Sequence, residues 1–384
     1  MTQNIIDSQP NSLAFITSQA FSIHNFRGSL IRTLVAKGVK VYALAPDYDD
    51  TTRSAVLALG AIPIDSSLSR ASINPLADLY DTWKLSRLLH SLNVDAVFAY
   101  FIKPVIYGSI AAWVARIPKR FAMIEGAGFV FNDEQNKTFF RRALLYFVIK
   151  LYRFSLSKTH NVFFLNREDQ QLFVETRMVS IHKVNLVNGI GVDLNYFFAK
   201  PPVTQNVCFI MIARLLREKG VYDYASAARL VKARHPNVRF LLLGAIDVNP
   251  NSLTQSEIDS WVDEKLLECP GHIADVRLWI EQASVFVLPS YYREGVPRST
   301  QEAMAMSRPV ITTNAVGCRD PVEDGVNGFK IPDRNPEALA KEMMFFIEHP
   351  EMIAKMGEQS RLMAEKKFDA AKSNALILST LGFR

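Results

Sequence analysis

Short apolar runs alternate along this chain with longer segments in which apolar residues recur every three or four positions. This alternation predicts strands separated by helices, which is typical of an α/β protein with parallel sheets. In the first half, strands are expected at 13–17, 39–45, 94–99, 120–124 and 161–165, and helices at 26–37, 51–59 and 76–92. In the second half, strands are expected at 207–213, 238–243 and 285–288, and a helix at 221–234.

The two halves are separated where the alternation stops. Glycines cluster over residues 188–193, and Lys200-Pro201-Pro202 then breaks any regular element. A chain of 384 residues also exceeds the size at which a single hydrophobic core keeps growing. We therefore predict two domains, at 1–198 and 199–367, followed by a helical tail at 368–384.

Composition narrows the class of protein. Apolar residues make up 49% of the chain and charged residues 21%, which predicts a folded globular protein without a large disordered part. Cys208, Cys269 and Cys318 are widely spaced and odd in number. That pattern matches no zinc site or disulfide framework and is typical of reduced core cysteines in a cytoplasmic protein. No signal peptide is expected, and no apolar run reaches the ~20 residues of a spanning helix.

A candidate anion-binding segment follows the predicted strand at 285–288. Pro297 suits the first turn of a helix, and the unpaired amides around a helix start, here Gly295, Val296 and beyond, can hold a diphosphate. Glu294 precedes this helix and Glu302 lies within it. Two carboxylates so placed can accept hydrogen bonds from opposite ends of one ligand with the shape of a nucleotide sugar. The alternative is a dipole partner in the first turn and an exposed surface glutamate.

Two bases follow the first strand of the second half. Arg214 and Lys219 flank a short segment that also contains Glu218. Ligands of open α/β sheets bind at the carboxyl ends of strands, so both bases can reach a diphosphate there. Arginine offers a planar fork and lysine a compact charge, which together can neutralise a leaving nucleoside diphosphate. The alternative is that both are solvated or paired with an acid such as Glu218.

These segments resemble a glycosyltransferase family. The resemblance implies the GT-B architecture, with two Rossmann-like domains facing across a cleft and a final helix that crosses back to the first domain. It also implies that Arg214 and Lys219 bind the donor diphosphate, Glu302 the nucleotide ribose and Glu294 the donor sugar. The family is that of the retaining glycosyltransferases of family 4, whose donor motif is closely matched by Glu294-Gly295-Val296-Pro297, Gln301-Glu302-Ala303-Met304-Ala305, Pro309-Val310-Ile311 and Glu323-Asp324-Gly325-Val326-Asn327-Gly328-Phe329.

The resemblance further implies the reaction. Family members retain the anomeric configuration through a front-face route, in which the departing phosphate takes the acceptor proton and no protein nucleophile is needed. A covalent role for Glu294 is the alternative. The donor region has no Asp-x-Asp pair suited to Mg²⁺. A reaction without metal or other cofactor is therefore expected, in which Arg214, Lys219 and helix amides stabilise the leaving group.

The resemblance is weaker in the first half, where two positions differ from the family pattern. Many relatives carry paired glycines after the first strand, whereas this chain has only Gly28, with His24 and Arg27 nearby as candidate acceptor contacts. Many relatives place a histidine after the fifth strand, where this chain has Glu125. Glu125 is a candidate contact to a donor or acceptor sugar, and a carboxylate that caps its turn is the alternative. For His24 and Arg27 the alternative is packing within the loop.

A basic, aromatic segment without acids spans residues 137–158. An amphipathic helix is expected, with Leu144, Phe147, Val148, Leu151 and Phe154 opposite the bases. Such a helix can lie in the headgroup region of an anionic membrane, and the alternative is a core helix with a solvated basic face. Nucleic acid is not an expected partner, since no recognition motif accompanies the bases. These bases are Lys137, Arg141, Arg142, Lys150, Arg153 and Lys158.

Together these observations predict a retaining hexosyltransferase with a UDP-sugar donor and a lipid-linked or polysaccharide acceptor. Segments 292–298 and 124–131 are similar to bacterial family members that add N-acetylhexosamines to undecaprenyl diphosphate sugars. The expected location is the cytoplasm, with peripheral contact to the inner face of the cytoplasmic membrane. Two alternatives are a nucleotide-sugar epimerase of the same architecture and a non-catalytic sugar-nucleotide-binding protein.

Overall fold

The structure is a computed structural model that describes residues 9–68, 74–128, 131, 139–247 and 249–383, without the side chains of 140 and 141. Over these residues the chain forms two compact units. The first contains the residues up to 190 together with 370–384, and the second contains 191–369. Each unit is built on one parallel sheet.

The first unit alternates strands and helices throughout its described length. Its strands are β1 (Ser12–Ile16), β2 (Lys40–Ala45), β3 (Ile62–Asp65), β4 (Ala96–Tyr100), β5 (Lys119–Ile124), β6 (Asn161–Phe164) and β7 (Val184–Leu186). Its helices before residue 190 are α1 (Phe21–Ala36), α2 (Asp50–Ala58), α3 (Pro75–Leu92), α4 (Ser109–Val114), α5 (Phe139–Ser157) and α6 (Arg167–Glu175). The strands form a parallel sheet of order β3-β2-β1-β4-β5-β6-β7. Strands and helices alternate in the chain because neighbouring parallel strands need crossover connections, which are usually helices.

Helices cover both faces of this first sheet. Successive strand residues point to opposite faces, so Phe15 of β1 packs with α1 and α2, whereas Ile16 packs with α3 and α4. Ala122 of β5, which is paired in register with Ala99 of β4, lies on the same face as Ile16 and packs with α5. The outer surfaces of α3, α4 and α5 therefore lie on one side of the unit.

The first helix begins at Phe21, five residues earlier than the sequence predicts. Asp47 lies just beyond β2, and its Oδ1 accepts a hydrogen bond of 2.7 Å from the amide of Ala20. This bond satisfies one of the amides that a helix start leaves unpaired. Because this carboxylate comes from the loop after a neighbouring strand, the local sequence around Ala20 does not predict the helix start.

The second unit repeats the alternation on a six-stranded parallel sheet. Its strands are β8 (Cys208–Ile212), β9 (Arg239–Leu243), β10 (Glu268–Gly271), β11 (Val285–Leu288), β12 (Val310–Thr313) and β13 (Gly328–Ile331). Its helices are α7 (Val221–Lys232), α8 (Gln255–Asp263), α9 (Arg277–Glu281), α10 (Arg298–Ala305), α11 (Pro336–Glu348) and α12 (Pro350–Lys367). The strand order is β10-β9-β8-β11-β12-β13. The order therefore reverses between β8 and β11, which is the switch point where open α/β sheets bind ligands.

A buried arginine links several segments of the second unit through hydrogen bonds to their carbonyl groups. Arg308 has no exposed surface and donates hydrogen bonds to the carbonyls of Ile280 (2.8 Å), Lys200 (2.7 Å), Met306 (2.6 Å) and Glu281 (3.1 Å). Burial lowers its pKa to about 10, so the guanidinium stays charged at neutral pH. The ends of α9 and α10 are thus tied to the segment that enters the unit.

The chain ends in helix α13 (Ala370–Leu381), which belongs to the first unit. Ile377, Leu378 and Leu381 are buried in the core that also contains α1. Asn374 adds a hydrogen bond of 2.9 Å from its Nδ2 to Oγ of Ser29 in α1. Apolar burial and this bond anchor the tail on the first sheet.

Candidate active site of the second unit

Two loops meet at the switch point between β8 and β11. The two strands pair in parallel register, so their carboxyl ends lie side by side. The carbonyl of Glu218, in the turn after β8, accepts hydrogen bonds from the amides of Tyr291 (3.0 Å) and Tyr292 (3.2 Å), in the loop after β11. These bonds hold the turn that carries Lys219 against the loop that carries Glu294.

Gly220 allows this close approach. Its φ is +78°, and a Cβ atom at this position would lie 2.1 Å from the carbonyl oxygen of Pro289. A side chain is therefore excluded by both the backbone conformation and the neighbouring loop.

An ion pair joins the two loops. Nζ of Lys219 lies 2.6 Å from Oε2 of Glu294, and the two side chains are only 10% and 13% exposed. Ser290 donates a hydrogen bond of 2.9 Å from its Oγ to Oε1 of Glu294. The thiol of Cys318 is close to the same oxygen, and burial together with Glu294 raises its pKa. The carboxylate is thereby oriented by a cation and a hydroxyl, and the thiol stays protonated.

The second predicted base lies at the same edge of the sheet. Nη1 of Arg214 is 3.0 Å from Oδ2 of Asp247, which follows β9 and is nearly buried. Arg214 itself is 40% exposed. Because Asp247 engages one nitrogen of a group with five N–H donors, the guanidinium keeps further donors for an anion.

Glu302 is held by the residue that begins its own helix. Nε of Arg298 donates a hydrogen bond of 2.7 Å to Oε1 of Glu302, four residues along α10. Burial raises the pKa of Glu302 above its usual 4.5, and the nearby Arg298 opposes that rise. A buried carboxylate of this kind has a strong preference for further hydrogen-bond donors.

The start of α10 supplies amides at the same place. Pro297 is the capping position, and no side chain caps this helix start among the described residues. Gln301 is fully buried, donates to the carbonyl of Val296 (3.0 Å) and accepts from the amide of Gly191 (3.0 Å). Gln301 thus holds the loop over Gly295, Val296 and Pro297 in place. The positive end of the α10 helix dipole lies beside Glu294.

The structure shows four supporting residues that the sequence analysis did not assign to the site: Asp247, Ser290, Arg298 and Cys318. Asp247 and Ser290 each follow a strand of the second unit, so their position at a carboxyl edge was a usable signal. Arg298 stands four residues before Glu302, which is the spacing of a helical ion pair. The contact of Cys318 with Glu294 has no local sequence signal.

In the first unit, the structure brings together two of the predicted acceptor-side residues. Arg27 of α1 is 2% exposed and forms an ion pair with Glu125, just beyond β5. Its guanidinium also lies over the ring of Tyr100, 4.6 Å from the centroid. His24 is half-buried one turn earlier in α1, and Gly28 is buried beside Leu59, which follows α2.

The basic segment differs from the expected arrangement. Phe147 and Phe154, expected opposite the bases, are exposed on the same side of α5 as Lys150. The reason is helical geometry, since spacings of three and four residues place Phe147, Lys150 and Phe154 on one face. Tyr152 and Leu156 are buried instead. Lys137 and the side chain of Arg141 lie outside the described residues.

The described part of the chain contains neither a metal-binding cluster nor a membrane-spanning helix. No group of three or more histidine, cysteine, aspartate or glutamate side chains suited to a metal ion occurs there. Of the helices that the structure describes, none combines the length and hydrophobicity needed to span a bilayer.

Comparisons with known proteins agree with this fold. Residues 206–349 match the family model described as glycosyl transferases group 1. The chain is 26% identical, over 94% of its length and 96% of the relative, to the N,N'-diacetylbacillosaminyl-diphospho-undecaprenol alpha-1,3-N-acetylgalactosaminyltransferase of Campylobacter jejuni. It is 25% identical, over 68% of each chain, to the UDP-Gal:alpha-D-GlcNAc-diphosphoundecaprenol alpha-1,3-galactosyltransferase of Escherichia coli. The crystal structure of Anabaena HepE in complex with UDP covers 96% of this chain and 99% of its own, with a TM-score of 0.75 at 17% identity.

The matched family model, the curated relatives and the shared fold identify a glycosyltransferase with the GT-B fold, which confirms the predicted fold class and class of enzyme. Residues 206–349 of the second unit form a glycosyl transferases group 1 domain.

Proposed function

We propose that this chain moves an N-acetylhexosamine from UDP to a lipid-linked or polysaccharide acceptor, with retention of configuration, in bacterial surface glycan synthesis. The observation that carries the proposal is the Lys219–Glu294 ion pair at the switch point, beside Arg214 and the start of α10. The Campylobacter relative is named for N-acetylgalactosamine transfer to a diphospho-undecaprenol sugar. HepE of Anabaena has been crystallised with UDP and with UDP-glucose. Both are consistent with this donor and acceptor chemistry.

On the donor side, each charged group has a distinct task. The ammonium of Lys219 has three N–H donors, so it can donate to a phosphate oxygen while another N–H donates to the carboxylate of Glu294. Arg214 adds a partly exposed guanidinium fork, and the start of α10 adds the positive end of a helix dipole. Glu302, held by Arg298, accepts hydrogen bonds from the ribose hydroxyls, and Glu294 accepts from the donor sugar.

The transfer step needs no nucleophile from the protein. The bond between the anomeric carbon and the β-phosphate oxygen breaks, and the acceptor oxygen bonds to the same face of the sugar. The acceptor proton passes to the departing phosphate oxygen. Charge grows on the diphosphate as the bond breaks, and Lys219 and Arg214 are already positioned to stabilise it, which is where preorganised cations accelerate a reaction most.

On the acceptor side, we place His24 and Glu125 nearest the acceptor. Arg27 is nearly buried and holds the carboxylate of Glu125, so its role is positioning. Gly28 is buried and packs beside Leu59. The unit is expected to dock on the inner face of the cytoplasmic membrane through α5, where Phe139, Tyr146, Phe147 and Phe154 are exposed together with Arg142 and Lys150.

Purified protein should transfer N-acetylhexosamine from UDP to lipid-linked sugars in a bacterial membrane extract, at an unchanged rate in excess chelator. The physical reason is that the described site offers cations and amides, with no carboxylate pair at the diphosphate, for charge stabilisation. Mass spectrometry of the lipid fraction measures the product. Conversion of UDP-sugar without acceptor would indicate an epimerase instead, and donor binding without turnover on any acceptor would indicate a non-catalytic binding protein.

The Glu302→Gln variant should bind UDP roughly tenfold more weakly, since one charge-assisted hydrogen bond is lost. Its pH dependence should also differ. A carboxyl group whose pKa is raised by folding costs stability as it ionises, so the free energy of unfolding should fall as pH rises above about 4.5 in the wild type. The variant lacks this decrease. Calorimetric titration with UDP measures the change in affinity. Melting curves over roughly pH 4 to 8 measure the change in pH dependence.

A matched control for this variant is Glu358→Gln, which removes a carboxylate from the exposed surface of α12. It should change neither UDP affinity nor the pH profile. Wild-type UDP affinity in Glu302→Gln would remove Glu302 from the donor site.

A further inference from the structure

Helix α3 carries an apolar stripe on its solvent side, although the spacing of these residues in the sequence is that of a buried face. Leu76, Leu79, Tyr80 and Trp83 are each more than half exposed, although they recur at the spacing of a core-facing stripe. The face that packs on the sheet is instead formed by Thr82, Leu85, Ser86 and Leu89 together with Asp78. A contiguous exposed stripe of this kind marks an interaction surface.

The bases of α3 lie among these exposed side chains. Nζ of Lys84 is 5.3 Å from the ring centroid of Tyr80, and the guanidinium of Arg87 is 5.2 Å from that of Trp83. The two rings are themselves stacked at 5.9 Å. Cations resting on interfacial rings, with their apolar stems along the surface, are typical of side chains at the headgroup level of a bilayer.

The acids of α3 do not oppose an anionic partner. Asp78 is buried in the face toward the sheet and pairs with Lys103, with Nζ 2.7 Å from Oδ1. Asp81 is half-buried on the flank of the helix. The exposed charges along the stripe are therefore Lys84 and Arg87, which fit lipid phosphates.

A second copy of this chain is a poorer fit to the same surface. A twofold contact would place the stripe against itself, so one interface would collect the positive charges of Lys84 and Arg87 from both copies. Like charges brought together in an interface are repulsive.

We propose that α3 is a membrane-docking helix that inserts its amino-terminal half into the headgroup region of an anionic bilayer, alongside α5. The exposed apolar residues of α3 precede its bases along the helix, whereas on α5 the exposed rings of Phe139, Tyr146 and Phe154 alternate with the bases. Crossover helices run antiparallel to their strands, so the amino-terminal halves of both helices lie toward the carboxyl edge of the first sheet.

Docking in this way orients the first unit on the membrane. The carboxyl edge that carries the Arg27–Glu125 pair faces the bilayer surface, where the diphosphate of a lipid-linked acceptor lies. This orientation rests on the proposed function, whereas binding of α3 to lipid does not.

Co-sedimentation with vesicles of phosphatidylethanolamine and phosphatidylglycerol tests the docking helix on the full-length protein. The double variant Leu76→Ser/Leu79→Ser should raise the apparent dissociation constant about tenfold, because two apolar side chains no longer enter the interface. A matched control is Leu57→Ser/Leu362→Ser, which changes two similarly exposed leucines of α2 and α12 and should bind as the wild type does. The variant Lys84→Gln/Arg87→Gln should weaken binding to these vesicles and leave binding to phosphatidylcholine vesicles unchanged.

Binding of Leu76→Ser/Leu79→Ser equal to that of the control pair would overturn the inference. So would a wild-type dimer in sedimentation velocity that this variant dissociates, since the stripe would then cover a second copy. Vesicle binding requires neither donor nor acceptor. A wild type that docks through α3 yet transfers sugar to no acceptor would therefore refute the proposed function alone.

Discussion

Replacing Lys219 with alanine should lower kcat/KM for sugar transfer by roughly 10²- to 10³-fold, the usual loss when one preorganised charge-stabilising group is removed. The ammonium lies 2.6 Å from Glu294 in a nearly buried setting, where water screens its charge less than it screens a surface charge. Its removal also leaves the carboxylate of Glu294 facing the donor diphosphate without a cation. Steady-state kinetics with the UDP donor measure the loss.

The Arg217→Ala variant is the matched control, because Arg217 lies two residues away in the same turn and rests over the ring of Tyr222, 4.8 Å from its centroid. It should retain wild-type rates. The double variant Lys219→Ala/Glu294→Gln separates two roles of the lysine. If Lys219 served only to hold Glu294, the double variant would be no slower than Glu294→Gln alone. Wild-type turnover in Lys219→Ala would contradict the proposed stabilisation of the leaving group.

Replacing Gly317 with alanine should destabilise the second unit by about 3 kcal/mol or more and abolish transfer. Its φ is +79°, and a Cβ atom there would lie 2.3 Å from the carbonyl oxygen of Glu294 and 2.2 Å from that of Gly295. The added methyl group must therefore displace the loop that holds the donor-site carboxylate. Thermal melting and the transfer assay measure the two effects.

The Gly325→Ala variant isolates the cause. Gly325 has a similar φ of +72°, but a Cβ atom added there would have no described atom within 4 Å. It should cost only the conformational penalty of about 1 kcal/mol and keep its activity. Equal losses in the two variants would show that the backbone conformation, and not the contact with the 294–295 loop, makes glycine necessary at position 317.

The strand and helix pattern was predictable from the sequence because each element carries its own period. The strand expected at 285–288 is β11, and the helix expected at 221–234 is α7, which ends two residues earlier. Periodicity does not determine which face of a helix packs on the sheet and which face is exposed to solvent. The stripe of Leu76, Tyr80 and Trp83 has the spacing of a buried face, and only packing of Leu85 and Leu89 on the sheet shows that it points outward.

The candidate donor-site residues could also be predicted from the sequence, since each lies at a strand end or in the first turns of a helix. Their partners were not. The sequence left Lys219 free to be solvated or paired with Glu218, whereas the structure pairs it with Glu294, 75 positions along the chain. Arg214 pairs with Asp247, and Arg27 with Glu125.

By itself, then, the sequence determined two alternating α/β halves, the loop and helix start at 289–298 and the residue types that can bind a diphosphate. These are properties of local period, backbone preference and side-chain chemistry. The tertiary structure decided which charges meet and which apolar face remains in solvent. The physical reason is the strand order, which places the carboxyl ends of β9, β8 and β11 side by side although they are far apart in the chain.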